Sequence, residues 1–135
     1  MAGYSGTPLP KKLGIKPDST VALLGAPRDF ERTLGMLPEG VKLRRQARGR
    51  AERVLLFVSA RAELARRFPA AVRAMADGGG LWIVWPKKSS GVSTDLSQTE
   101  VRGYGLARGL VDYKICAIDE TWSGLLFARR SAKRA

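Results

Sequence analysis

The sequence predicts an α/β domain in three layers, with a mostly parallel sheet between helices and an antiparallel hairpin at its C-terminal end. Three observations predict it. Val54-Leu55-Leu56-Phe57-Val58 and Leu81-Trp82-Ile83-Val84-Trp85 are apolar at every position, the pattern of strands covered on both faces. Between them Leu64, Phe68, Val72 and Met75 or Ala76 recur at helical spacing, so strand and helix alternate as in βαβ units. Finally, the last two apolar segments are separated only by Asp119 to Gly124, a connection too short for a parallel crossover.

Taken in order, residues 1–19 form an extended lead-in to a single α/β domain at 20–130, and residues 131–135 a basic tail. Pro8 to Gly14 predicts a helical turn ended by its glycine, and Lys16-Pro17-Asp18-Ser19 a turn. Thr20 to Leu24 is the first strand and Gly25 to Asp29 the loop after it. Asp29 is a candidate N-cap for a short helix, Phe30 to Leu34, closed by Gly35. Val41 to Arg45 alternates apolar and basic residues, as a partly exposed strand near an edge does. Arg44 to Arg53 is a run of like charge without an aromatic residue, and reads as a solvated loop. After the Val54–Val58 strand, Ser59 is placed to cap the next helix. Pro69 is expected to kink or split that helix, and Gly78 to end it. Trp82 and Trp85 fall on opposite faces of the following strand, which Pro86 stops. Ser97-Gln98-Thr99-Glu100 is a capping box for a helix to about Arg108, with Gly109 after it. Leu110 to Ile118 and Leu125 to Ala128 make the hairpin.

Composition narrows the function. A chain of 135 residues suits one domain. No apolar run approaches the roughly 20 residues that span a bilayer. The N-terminus lacks the regions of a signal peptide. A cytoplasmic protein without a membrane partner is expected. Cys116 is the one cysteine and there is no histidine, which excludes an internal disulfide, Ser-His-Asp chemistry and histidine metal sites. Cys116, inside a strand, reads as a small buried apolar residue. The net charge of +12 favours polyanions. Nucleic acid would meet Lys42, Arg44, Arg45, Arg48, Arg50 and Arg53, with the Arg129–Arg134 tail.

The helix followed by Asp77-Gly78-Gly79-Gly80, then Leu81 to Pro86, a second helix and a hairpin resembles the C-terminal half of Rossmann-like methyltransferases. Leu13-Gly14-Ile15-Lys16-Pro17 before a strand is similar to their lead-in. The chain as a whole resembles a small bacterial family classed as a domain of unknown function, through Leu13 to Pro17, Gly79 to Lys87 and Asp119 to Gly124. The methyltransferase resemblance implies an S-adenosylmethionine site with a Gly-x-Gly turn after the first strand, an acidic residue after the second and an Asn/Asp-Pro-Pro-Tyr element after the central strand. The corresponding residues are Leu23 to Arg28, with one glycine, then Arg44-Arg45-Gln46, then Ser59-Ala60-Arg61. No cofactor is therefore expected, S-adenosylmethionine included.

Ligands of such sheets bind outside the carboxyl ends of the strands. That rule gathers Gly25, Arg28, Ser59, Arg61, Lys87, Lys88, Ser89, Ser90, Asp119 and Trp122. Cations, hydroxyls and helix N-termini suit a small anion. The leading expectation is thus a non-catalytic module that recognises an anionic ligand or partner. The alternatives are a divergent S-adenosylmethionine-dependent methyltransferase, with Asp119 or Glu120 as base, and a nucleic-acid-binding protein.

Overall fold

A computed structural model describes residues 6–130. Its strands are β1 (Thr20–Leu24), β2 (Lys42–Arg44), β3 (Ala51–Phe57), β4 (Met75–Pro86), β5 (Leu110–Ala117) and β6 (Trp122–Arg129). Its helices are α1 (Leu9–Lys12), α2 (Phe30–Leu34), α3 (Arg61–Arg73) and α4 (Gln98–Ala107). The strands form one sheet in the order β2-β1-β3-β4-β6-β5. β2, β1, β3 and β4 are mutually parallel, while β6 runs antiparallel to both β4 and β5. The predicted fold class is the observed one, and β2 is at an edge as its alternation implied.

Two apolar cores cover the sheet. Leu64, Phe68 and Ala71 of α3 and Val101 of α4 pack with Ala22, Val54, Leu56, Ile83 and Trp85 on one face. Leu13, Ile15, Phe30 and Leu34 pack with Leu23, Leu55, Phe57 and Trp82 on the other. Trp82 and Trp85 do point to opposite faces. The α1 segment is bonded to the middle of the sheet, because the Leu13 carbonyl accepts from Trp82 Nε1 at 3.0 Å and from Arg53 Nε at 2.9 Å.

Several local expectations are corrected. Gly78 does not end a helix. α3 stops at Arg73, and Gly78, Gly79 and Gly80 belong to the first half of β4. At Gly79 and Gly80 a side chain has no room: a Cβ on Gly79 would lie 2.9 Å from the Glu52 carbonyl, and one on Gly80 2.8 Å from Leu126 Cδ1. Pro69 does not split α3, which runs unbroken through it with Pro69 on the exposed side. Ser59 does not cap α3, and Asp29 makes no cap bond to α2. The Ser97 cap is present, with its hydroxyl accepting from Glu100 N at 3.3 Å, but Glu100 turns to Arg61 instead of back to the cap. The basic stretch is not all loop, since Ala51 to Arg53 open β3. Between β2 and β3 there is no helix. Residues 45–50 cross from the edge past β1 as an extended strap, and Ala47 packs on the α3 face. The expected basic tail at 131–135 lies outside the described residues.

Candidate functional site

The register brings the predicted turns to one rim. Leu24 is level with Leu56, Phe57 with Val84, Pro86 with Trp122 and Ala117 with Ser123. The loops after β1, β3, β4 and β5 therefore share one end of the sheet, as the rule for open parallel sheets requires.

Polar groups tie these loops together, and this is where sequence reasoning saw least. Arg45, at the end of β2, donates to the carbonyls of Ala26, Pro27 and Arg28 at 3.0–3.2 Å. It also grips Glu31 of α2 with Nη2 at 2.8 Å and Nε at 3.3 Å. The Arg45 guanidinium holds the Glu31 carboxyl below its ordinary value of 4.5, so Glu31 is ionised at neutral pH. Arg45 is thus an organiser of the β1 loop, and its donors are already engaged. The Arg61 amide at the start of α3 is bonded to Asp95 at 2.8 Å, and the Ser59 amide to Glu63 at 2.8 Å. Internal carboxylates therefore occupy the helix terminus that a bound anion would have used. Thr94 donates to the Ser59 carbonyl at 2.6 Å, and the Lys87 amide to that of Thr121 at 2.8 Å.

The other predicted residues fall as follows. Gly25 is exposed at φ +72°, and a Cβ there would sit 2.9 Å from the Phe57 carbonyl and 3.4 Å from Arg67 Nη1. Glycine is required, and bare backbone results. Arg28 is exposed and Arg61 pairs with Glu100 at 3.2 Å. Lys87 is half-buried; Lys88 and Ser89 are exposed in a short 3-10 turn, where Ser90 bonds the Lys87 carbonyl. Neither lysine pairs with Asp119 or Glu120. Asp119 is a turn-former: one carboxylate oxygen accepts from the amides of Thr121 and Trp122, both at 2.9 Å. Trp122 is half-buried and packs edge-on to Phe57 at 5.1 Å, which in turn packs on Phe30 at 4.9 Å. The buried Phe57 therefore links the exposed Gly25, through its carbonyl, to the half-buried Trp122, through its ring. Beside it, Leu9, Lys12, Thr33, Ile118 and Asp119 line a cavity of about 320 Å³ that the sequence did not signal.

Of the residues proposed to meet nucleic acid, Lys42, Arg48 and Arg50 are exposed. Arg44 is folded under the strap, and its Nε and one terminal nitrogen are buried without a partner. Arg45 and Arg53 are bonded to backbone carbonyls.

Cys116 is buried, as expected. Burial pushes its thiol above the ordinary 9.0 despite the lysines around it, Lys12, Lys114 and Lys87. Iodoacetamide should therefore label it at pH 8 at least tenfold more slowly in folded than in urea-unfolded protein, and the folded rate should still be climbing, not levelling off, at pH 9. Equal rates at pH 8 would show a thiol that is neither buried nor raised.

No protein-family model matches the chain, and no curated protein is similar to it in sequence. The resemblance to a bacterial family set out above finds no support there. Solved structures are similar in fold. A complex of DhpI with SAH superposes with a TM-score of 0.63 over 93% of this chain and 83% of its own, at 12% identity. The ribosomal protein L11 methylase of Lactobacillus delbrueckii subsp. bulgaricus gives 0.59 over 91% and 75%, also at 12% identity. LepI in complex with SAM gives 0.52 at 13% identity, over 92% of this chain and 47% of LepI. The fold is thus methyltransferase-like. No helix among the described residues is long and apolar enough to cross a membrane. The expectation that no cofactor binds, S-adenosylmethionine included, does not stand: in DhpI and LepI a fold of this kind holds SAH or SAM. The rim residues fit such a group better than their sequence suggested. Gly25 bares the backbone of the β1 turn, and Glu31 is a carboxylate that Arg45 holds beside the end of β2.

Proposed function

We propose that this is a methyltransferase-like protein that binds SAM or SAH over the carboxyl ends of β1 and β3. The observation that supports it most is the likeness, over 93% of the chain, to DhpI in complex with SAH. The local geometry agrees with that reading. The Gly25 backbone is open to a close approach, Trp122, backed by the buried Phe57, offers an apolar wall to a nucleobase, and Glu31 is the carboxylate available to ribose hydroxyls.

When bound, SAM supplies a methyl group on a positively charged sulfur. What the chain adds is placement and exclusion of water, which can account for several kcal/mol of barrier without any acid or base. The absence of histidine is then no obstacle. Asp119 is committed to its turn, so Glu120, exposed at the same rim, is the residue placed to take a proton from an acceptor.

Titration calorimetry with SAH tests the reading. Saturable binding is expected, and Trp122→Ala should weaken it about tenfold or more, equivalent to about 1.4 kcal/mol. Trp122→Phe should restore most of that loss. No heat and no thermal shift at millimolar SAH or SAM would overturn the proposal. Wild-type affinity in a folded Trp122→Ala protein would overturn the placement.

A further inference from the structure

We propose that the face formed by α3 and the strap binds the phosphodiester backbone of a double-stranded nucleic acid. This is independent of the SAM site. Between residues 44 and 73 the chain has nine arginines and two carboxylates. Both carboxylates are already engaged, Glu52 by the Thr20 amide and Glu63 by the Ser59 amide and Arg67. Arg45, Arg53 and Arg61 are held by internal acceptors. Among the described residues Arg44, Arg48, Arg66 and Arg73 find neither a hydrogen-bond acceptor nor a carboxylate, and Arg50 meets Asp77 only at 3.7 Å, both side chains being largely exposed.

The fold gathers these charges on one side. Arg44 is level with Ala22, whose side chain packs in the α3-side core, and its guanidinium lies under the strap beside Gly49. The strap packs on that same core through Ala47. Arg67 of α3 reaches toward Gly25 at the end of β1, and α3 and the strap cover the same face of the sheet through that one core. The uncompensated, partly desolvated Arg44 charge adds to the potential in front of the exposed arginines. Arg66 and Arg73 are two helical turns apart, about 10 Å, or roughly three phosphates of one strand at 3.4 Å of axis each.

The chemistry favours backbone over base. The aromatic rings of this layer are occupied: Phe68 is buried, and Tyr104 is packed between Phe68 at 5.1 Å and the Arg108 guanidinium at 3.5 Å. Without a free stacking platform, unpaired bases gain little here. Exposed arginines make strong, sequence-independent phosphate contacts.

Fluorescence anisotropy with labelled DNA and RNA duplexes over a salt series tests this. The wild-type affinity for DNA should fall with salt by about 0.9 log unit per log unit for each phosphate neutralised. The variant R48Q/R66Q/R73Q should bind at least tenfold more weakly and show a slope shallower by about 0.9 for each arginine lost. K11Q/K16Q/R32Q removes the same charge from the α1–α2 side and should bind within about twofold of wild type; all six side chains are exposed, so both variants should fold. Comparison of the two duplexes assigns the sugar. Failure to bind either duplex, equal losses in the two variants, or tighter binding to phosphatidylserine vesicles or to single strands would overturn the proposal.

Discussion

Replacing Trp82 by alanine is expected to destabilise the protein by about 3–5 kcal/mol, a large part of the roughly 5–15 kcal/mol available to a domain. Trp82 is fully buried in the middle of β4, level with Leu55 on one side and Leu126 on the other. Its ring lies over Gly124, where an added Cβ would come within 3.0 Å of it. A truncated side chain would leave a cavity walled by strands that cannot close on it. The indole also donates to the Leu13 carbonyl, so that carbonyl loses one of its two bonds to the sheet. Trp82→Phe separates the two contributions. It keeps most of the ring, and Arg53 still satisfies the Leu13 carbonyl, so about 1–2 kcal/mol is expected. Urea denaturation of the three proteins measures both values. A cost below about 1 kcal/mol for Trp82→Ala would mean that this strand is not at the centre of the core.

The parts of this fold legible in the sequence are those that a single strand or helix reports by itself. Burial on both faces writes a continuous apolar run, so the second half of β4 is visible at Leu81 to Trp85. The first half is not, because Gly79 and Gly80 are selected by the closeness of the Glu52 carbonyl and Leu126, which lie far away in sequence. The Ser97 cap is local and was readable. The acid at the start of α3 comes from Asp95, separated from Arg61 by 34 positions, and no spacing announces it. The site shows the same division. Topology alone predicted that Gly25, Lys87, Asp119 and Trp122 would share a rim. Which of the cations there remain free was not predictable, because a run of arginines looks the same whether its members face water or bind carbonyls. Arg45 and Arg53 turned out to bind carbonyls and Arg48 to face water. Glu31 is carried by α2, and only its pair with Arg45 shows that it lies beside the end of β2.

Two glycines in one helix should respond to alanine with opposite signs. Gly103 and Gly105 are both in α4, where glycine is less favourable than alanine by about 1 kcal/mol on propensity alone. A Cβ on Gly103 would meet nothing within 4 Å, so Gly103→Ala should stabilise by up to about 1 kcal/mol. A Cβ on Gly105 would press into the Phe127 ring, with Cδ2 and Cζ at 2.8 Å. That ring is fully buried in the core on the α3–α4 face, so it has nowhere to turn. Overpacking of this kind costs about 1–3 kcal/mol, which outweighs the propensity gain, and Gly105→Ala should destabilise. The two variants should therefore differ by about 1–3 kcal/mol, the overpacking cost alone, in denaturant midpoints converted at a common slope. Their comparison removes helix propensity from the outcome and leaves only the seating of α4 against β6. Equal stabilisation by both substitutions would show that α4 does not rest on Phe127.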